Sequence, residues 1–236
     1  MCLLLLIIQT WTGQAQPDGF SAPRLSGEII EEVRVTMGSP FLFDHWSPGN
    51  VTLRHGEQIV QQMLMYNGYT DDLYWFHPHT HQTIRVDKGL IMGFTLKDPA
   101  TARVLVFENT ALTGSGQRQP EQGFTQLLYA GSIRLMIRHR VRKTGSILER
   151  TPQGRTLRDQ LTYSPEYMVV DGSGIAHPVK RFNRKTMMEI FPGHTDEVRQ
   201  VYRGRLFVPR SDDQRLDLIE ELDKLLIKKA DQGRVD

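Results

Sequence analysis

The sequence predicts a mainly β protein: an antiparallel meander of hairpins, barrel-like or divided into two small sheets, followed by a C-terminal segment of about three α-helices. Three observations carry this reading. Apolar residues recur with a period close to two over residues 38–108 and again over 124–182. Gly-centred turns separate the runs, and after residue 183 the period lengthens to about 3.6.

The chain opens MCLLLLII and continues QTWTGQAQ. An apolar run leading to small residues at Gly13 and Ala15 fits a signal peptide over residues 1–15, cleaved before Gln16, although the run is short and no Lys or Arg precedes it. The run is too short to span the roughly 30 Å of a bilayer, and no later stretch approaches the ~20 apolar residues of a membrane helix. Cys2 precedes the apolar run, whereas a lipoprotein cysteine would follow it, so no lipid anchor is expected. Removing that peptide takes away the only cysteine, and with it disulfides, thiolate chemistry and Cys-ligated metals. The formal net charge of +2 advertises no polyanionic partner, and nucleic acid is not expected.

Residues 16–37 read as an extended lead-in and 38–108 as an N-terminal antiparallel β region. Within it, NVTLRHGEQIVQQMLMYN reads as two strands joined at His55-Gly56, NGYTDD marks the next turn, and DDLYWF the next strand. Leu90, Met92, Phe94 and Leu96 are expected to share one apolar face. Residues 109–123, rich in Gly, Gln, Ser and Thr, read as a surface loop or hinge. The second β region, 124–182, contains a polar excursion from Thr144 to Asp159 and a hairpin turn at Asp171–Gly174. The C-terminal helices fill 183–231. Asn183 is placed to cap the first, the second begins near Thr195, and Ser211 with Gln214 forms a capping-box pattern for the third. Leu216, Ile219, Leu222, Leu225 and Leu226 line the third helix's apolar face, expected to pack on the β body, with Lys228 and Lys229 at its C-terminal end.

Two features could carry chemistry. The first is WFHPHTH, with His77, His79 and His81 at alternate positions. On a regular strand such residues point one way, about 6.6 Å apart, and a His-x-His pair can chelate zinc. Pro78 removes a backbone donor and prefers a turn or an edge, so the segment is expected to be an exposed hairpin connection whose imidazoles splay. The second is IRLMIRHRVRK. Ile133, Leu135, Ile137, His139 and Val141 are expected to face the core, while Arg134, Arg138, Arg140 and Arg142, with Met136 among them, face outward. Such a basic strand face, extended by Lys143, Arg150, Arg155 and Arg158, suits bidentate contacts to phosphates or lipopolysaccharide. The same arginines can instead be paired with acidic neighbours on adjacent strands. His139 is expected to be a hydrogen-bonded core histidine. Phe41, Phe43, Trp46, Tyr66, Tyr69, Tyr74 and Trp75 either line a groove or, as is commoner, build the core of a small β domain. Phosphate loops, nucleophile elbows and H-E-x-x-H pairs are all missing.

The stretch GSPFLFDHWSPGNVTLRHGEQIVQQMLMYNGYTDDLYW (Gly38–Trp75) resembles a family of small exported β-rich proteins of Bacteroidetes-type bacteria whose function is uncharacterised. That group carries GSPYL and DEW-PG segments, a strand, a Gly turn and YN-Y-DEL. EYMVVDGSGIAHPVKRFNRKTMMEIFPGHTDEVRQV looks like its ending: a hairpin, a short basic helix, FP and two further helices. The resemblance covers most of the chain after residue 37 and implies export and a β-rich fold. It implies no shared catalytic role for His77, His79 and His81, which stand where a plain polar turn is expected. The sequence therefore points to an exported, non-enzymatic binding or accessory protein, periplasmic or outer-membrane associated, without a cofactor, whose partner is a cell-envelope protein or outer-membrane component. The alternative is a metal-binding or metal-dependent hydrolytic protein built on the histidine cluster.

Overall fold

A computed structural model describes residues 25–30, 36–114, 119–151, 154–205 and 207–232. The expected signal peptide lies outside them. The strands are β1 (Gly27–Ile29), β2 (Ser47–Leu53), β3 (Gln58–Asn67), β4 (Asp72–Phe76), β5 (Thr83–Val86), β6 (Ile91–Lys97), β7 (Val104–Leu112), β8 (Glu121–Ala130), β9 (Arg134–Arg138), β10 (Val141–Thr151), β11 (Gly154–Tyr163), β12 (Glu166–Val170) and β13 (Ala176–Val179). Helices α1 (Arg184–Ile190), α2 (Thr195–Tyr202) and α3 (Asp212–Gln232) follow. The mainly antiparallel β class with three C-terminal helices is as the periodicities predicted.

Eleven strands form one open antiparallel sheet in the order β1-β5-β4-β3-β2-β6-β7-β8-β9-β12-β13, and β10 with β11 forms a separate two-stranded ribbon. Strands of both β regions thus share one sheet, from which the β10–β11 ribbon of the second region stands apart. The 109–123 stretch read as loop or hinge is strand at both ends, in β7 and β8. Its polar residues are used: the Asn109 side chain donates to the carbonyls of Lys88 and Ile91, at 2.8 Å each.

The sheet is rolled, though not closed. In a flat sheet β4 and β8 would lie about 24 Å apart, at about 4.8 Å per strand. Instead the Asp71 carboxylate before β4 accepts a hydrogen bond from the Phe124 amide in β8 at 3.3 Å, and the Val141 amide donates to Gly68 O at 3.0 Å. A second roll brings the end of β7 onto β13, where the Ala176 amide donates to Thr113 O at 2.9 Å. Inside the first roll sits an aromatic-rich core that includes Leu64, Tyr66, Trp75, Ile91, Phe94, Phe107 and Phe124. Tyr66, Tyr74 and Trp75 are therefore core residues, while Tyr69 stays exposed. Leu112, Met136, Met168, Val170 and Ala176 fill the second roll.

The expected face of β6 is corrected by a register irregularity between Thr52 and Leu53 of β2. Leu53 pairs with Ile91 and Thr52 with Gly93, so Met92 is the extra residue. Ile91, Phe94 and Leu96 face the core, and Leu90 and Met92 are exposed.

The helices cover the other face of β8, β9, β12 and β13, packing Met187, Val198, Leu218, Ile219 and Leu222 against Ile133, Leu135, Val169 and Val179. Asn183 caps α1 by accepting the Thr186 amide at 2.9 Å, and the capping box of α3 forms reciprocally between Ser211 and Gln214. A buried polar contact adds to this packing of α3 on the sheet. The buried Asp223 carboxylate accepts hydrogen bonds from Tyr129 Oη (2.8 Å), from the amides of Ser132 and Ile133 (3.1 Å each) and from the Ser132 hydroxyl. It thereby satisfies the turn between β8 and β9. A side chain at Gly131 would collide with this carboxylate.

Candidate functional site

The histidine segment forms the connection between β4 and β5, as its proline predicted. The His77 amide donates to Gln82 O at 2.9 Å and the His81 amide to His77 O at 2.9 Å. The imidazole of His77 is itself part of the turn: its Nδ1 accepts the amides of His79 and Thr80, both at 3.2 Å. Its ring packs on Trp75 with centroids 4.8 Å apart, while the His81 ring lies 6.0 Å from Phe76. The His79 ring meets His77 edge-on at 5.9 Å between centroids, while His81 sits apart on Phe76. Among the described residues, no group of three or more His, Cys, Asp or Glu side chains is gathered as metal ligands.

The arginine run is where the structure departs most from a basic outer face. Both faces of β9 are buried, because the helices cover one and the second roll of the sheet covers the other. Met136, expected outside, is fully buried, and Arg138 retains 4% exposure. Each arginine of the run has a carboxylate. Arg134 pairs with Glu108 of β7 at 3.1 Å. Arg138 pairs with Glu121 of β8 at 2.7 Å, and also donates to its carbonyl at 3.3 Å. Arg140 bridges Glu121 and Glu166, and Arg142 pairs with Glu166. Partial burial alone would raise the Glu121 carboxyl, but Arg138 and Arg140 together hold it below the usual carboxylate range.

His139 sits at the break between β9 and β10 as a core histidine. Its Nδ1 meets Tyr163 Oη and its Nε2 meets Gln126 Oε1, both at 2.6 Å. Burial pushes it down to about 4, so it is neutral near pH 7. A second buried polar centre escaped the sequence reading. Asp71 accepts from Tyr66 Oη at 2.7 Å and from Lys88 Nζ at 2.8 Å, closing the first roll with a carboxylate. Its only signal in the sequence is an Asp-Asp pair directly before an apolar strand.

Two of the predicted arginines do meet in a concave site. A cleft of about 570 Å³ opens where β12 begins and β13 ends, a size suited to a small ligand or a peptide segment. Arg138, Arg142, Lys180 and Arg215 line it together with Glu121 and Glu166, over an apolar wall that includes Met168, Ala176 and Phe182. Arg215, from the first turn of α3, lies over the Tyr167 ring at 4.1 Å and pairs with Asp212 at 2.7 Å. The Nε groups of Arg138 and Arg215 are buried without a hydrogen-bond acceptor among the described residues. Both atoms are closed off from solvent, so the donors this wall offers a ligand oxygen are the exposed cations Arg142 and Lys180. Arg134 and Arg140 are not among the cleft residues. Arg215 and Lys180, which are, carried no sequence signal, since they come from a helix start and a strand end distant from the run.

Compared with protein-family models, curated proteins and solved structures, the chain matches none of them. No helix among the described residues is long and apolar enough to cross a membrane.

Proposed function

We propose that this protein is an exported, non-enzymatic binding or accessory protein of the cell envelope. Its cleft takes an acceptor-rich segment of an envelope protein or outer-membrane component. The observation that supports this reading most is the cleft itself, where the exposed cations Arg142 and Lys180 stand beside an apolar surface. A partner carbonyl or carboxylate there gains charge-assisted hydrogen bonds, and its neighbours bury apolar area. The signal-like stretch before Gln16 and the resemblance to exported β-rich proteins support the location.

Fractionation of a C-terminally tagged copy, with mass spectrometry of its N-terminus, tests the location. A species beginning at Gln16 in the periplasmic or outer-membrane fraction is expected. A cytoplasmic protein that keeps its first 15 residues overturns it. Binding is tested by pull-down from native membranes, with the rim variant R142E/K180E beside the wild type. A partner recovered by the wild type and lost from the variant is expected, whereas equal recovery by both removes the cleft from the proposal.

A further inference from the structure

The β10–β11 ribbon leaves the body of the protein. Near its base, Met37 runs beside β11, with its amide donating to Asp159 O and its carbonyl accepting from the Leu161 amide. Beyond that point both strands are largely exposed on both faces out to Gly154. The arm reaches about 20 Å, from some six residues at roughly 3.3 Å each.

Its two faces differ. On one, Arg158 is neutralised by Glu149 at 2.6 Å, with Ile147 directly opposite Arg158. On the other, the register sets Leu148 opposite Leu157 and, one step nearer the tip, Arg150 opposite Arg155. The leucines are 55% and 66% exposed. Like charges placed directly opposite disfavour the ribbon. Neither arginine has a carboxylate partner among the described residues, unlike the four from Arg134 to Arg142.

A face that presents two unpaired guanidiniums beside two exposed leucines matches a surface offering anionic oxygens above an apolar layer. We infer that this face of the arm docks on an anionic phospholipid bilayer. Arg150 and Arg155 contact lipid phosphates bidentately, and Leu148 and Leu157 enter the headgroup–acyl boundary. Charge complementarity decides the occupant, because a soluble acidic chain offers the oxygens without the apolar layer. The inference is independent of the cleft: the arm variants below leave Arg142 and Lys180 in place, so the two readings fail separately.

The test is co-sedimentation of the purified full chain with vesicles of phosphatidylcholine alone and of equimolar phosphatidylcholine and phosphatidylglycerol. Binding to the anionic vesicles only, weakening as salt is raised, is expected. R150S/R155S is expected to bind about thirty-fold more weakly, the loss of two surface cations. R150K/R155K retains most of the binding. The charge-matched control R103S/R199S, which removes two paired arginines outside the arm, leaves it unchanged. L148S/L157S keeps every charge and also loses binding. Thermal melts equal to wild type confirm that each variant is folded. Equal binding by R150S/R155S and the wild type overturns the inference, as does undiminished binding by L148S/L157S. So does tight binding to soluble polyglutamate without binding to the anionic vesicles.

Discussion

Arg138, Arg140 and Arg142 share one nearly continuous run of extended chain with Arg150 and Arg155, yet the two groups have opposite fates. The first group lies where β8, β9 and β12 run side by side, and Glu121 and Glu166 reach it from the neighbouring strands. The second lies where only two strands remain, so each arginine has a single directly opposed neighbour, and that neighbour is another arginine. Basic residues counted along a sequence say nothing about which are free to act. Strand order and register assign the counter-charges, and here they neutralise the denser cluster and leave the sparser one available.

The sharpest way to press this contrast is to attack the base of the arm. His139 is held neutral there by burial, at about 4 against an ordinary 6.5. Between those values the unfolded chain binds a proton that the folded protein refuses, so stability falls as pH drops from 6.5 towards 4 and this contribution levels off below. The loss is expected to reach about 3 kcal/mol, from about 1.4 kcal/mol per unit. Urea unfolding followed across that range checks it, and a flat profile would remove the buried neutral histidine from the account. A somewhat smaller effect is expected from Glu121→Gln. Arg138 would lose its only carboxylate in the ion-pair network while its side chain stays 5% exposed. The cost is about 2–3 kcal/mol, near the lower end for breaking a buried pair because Glu121 itself is half exposed. A change below about 1 kcal/mol would place Arg138 with the weakly coupled surface pairs and erase the distinction between base and tip. The smallest effect belongs to the tip. R150S/R155S should alter stability by no more than about 0.5 kcal/mol, in the stabilising direction, since it relieves a like-charge pair. Marked destabilisation would show that the arm arginines are structural after all.

The strands and helices were legible wherever one face meets the core and the other meets solvent. The caps at Asn183 and Ser211–Gln214 were legible because capping is local chemistry. What escaped depends on contacts between distant segments. Met92 sits out of phase because β2 and β6 pair with an extra residue, which no period-two count reveals. Met136 and Arg138 were assigned outward because alternation identifies two faces without saying that both are covered. The Thr144–Asp159 stretch looked like a polar excursion because a ribbon exposed on both sides has no apolar face to advertise. Asp223 is the miss with the clearest signal: it falls on the same helical stripe as Ile219 and Leu226, where a carboxylate has no place without a partner.

That carboxylate also sets an order of events. The turn at Ser132–Ile133 waits about ninety residues for its hydrogen-bond acceptor. Ile133 and Leu135 wait about fifty residues for the first of the helices that cover them, and Val169 and Val179 far less. A chain emerging from its N-terminus can pair its early strands by local closure, but this sheet face is fully covered only once α3 has followed α1 and α2. During that interval the nascent molecule carries an open apolar surface.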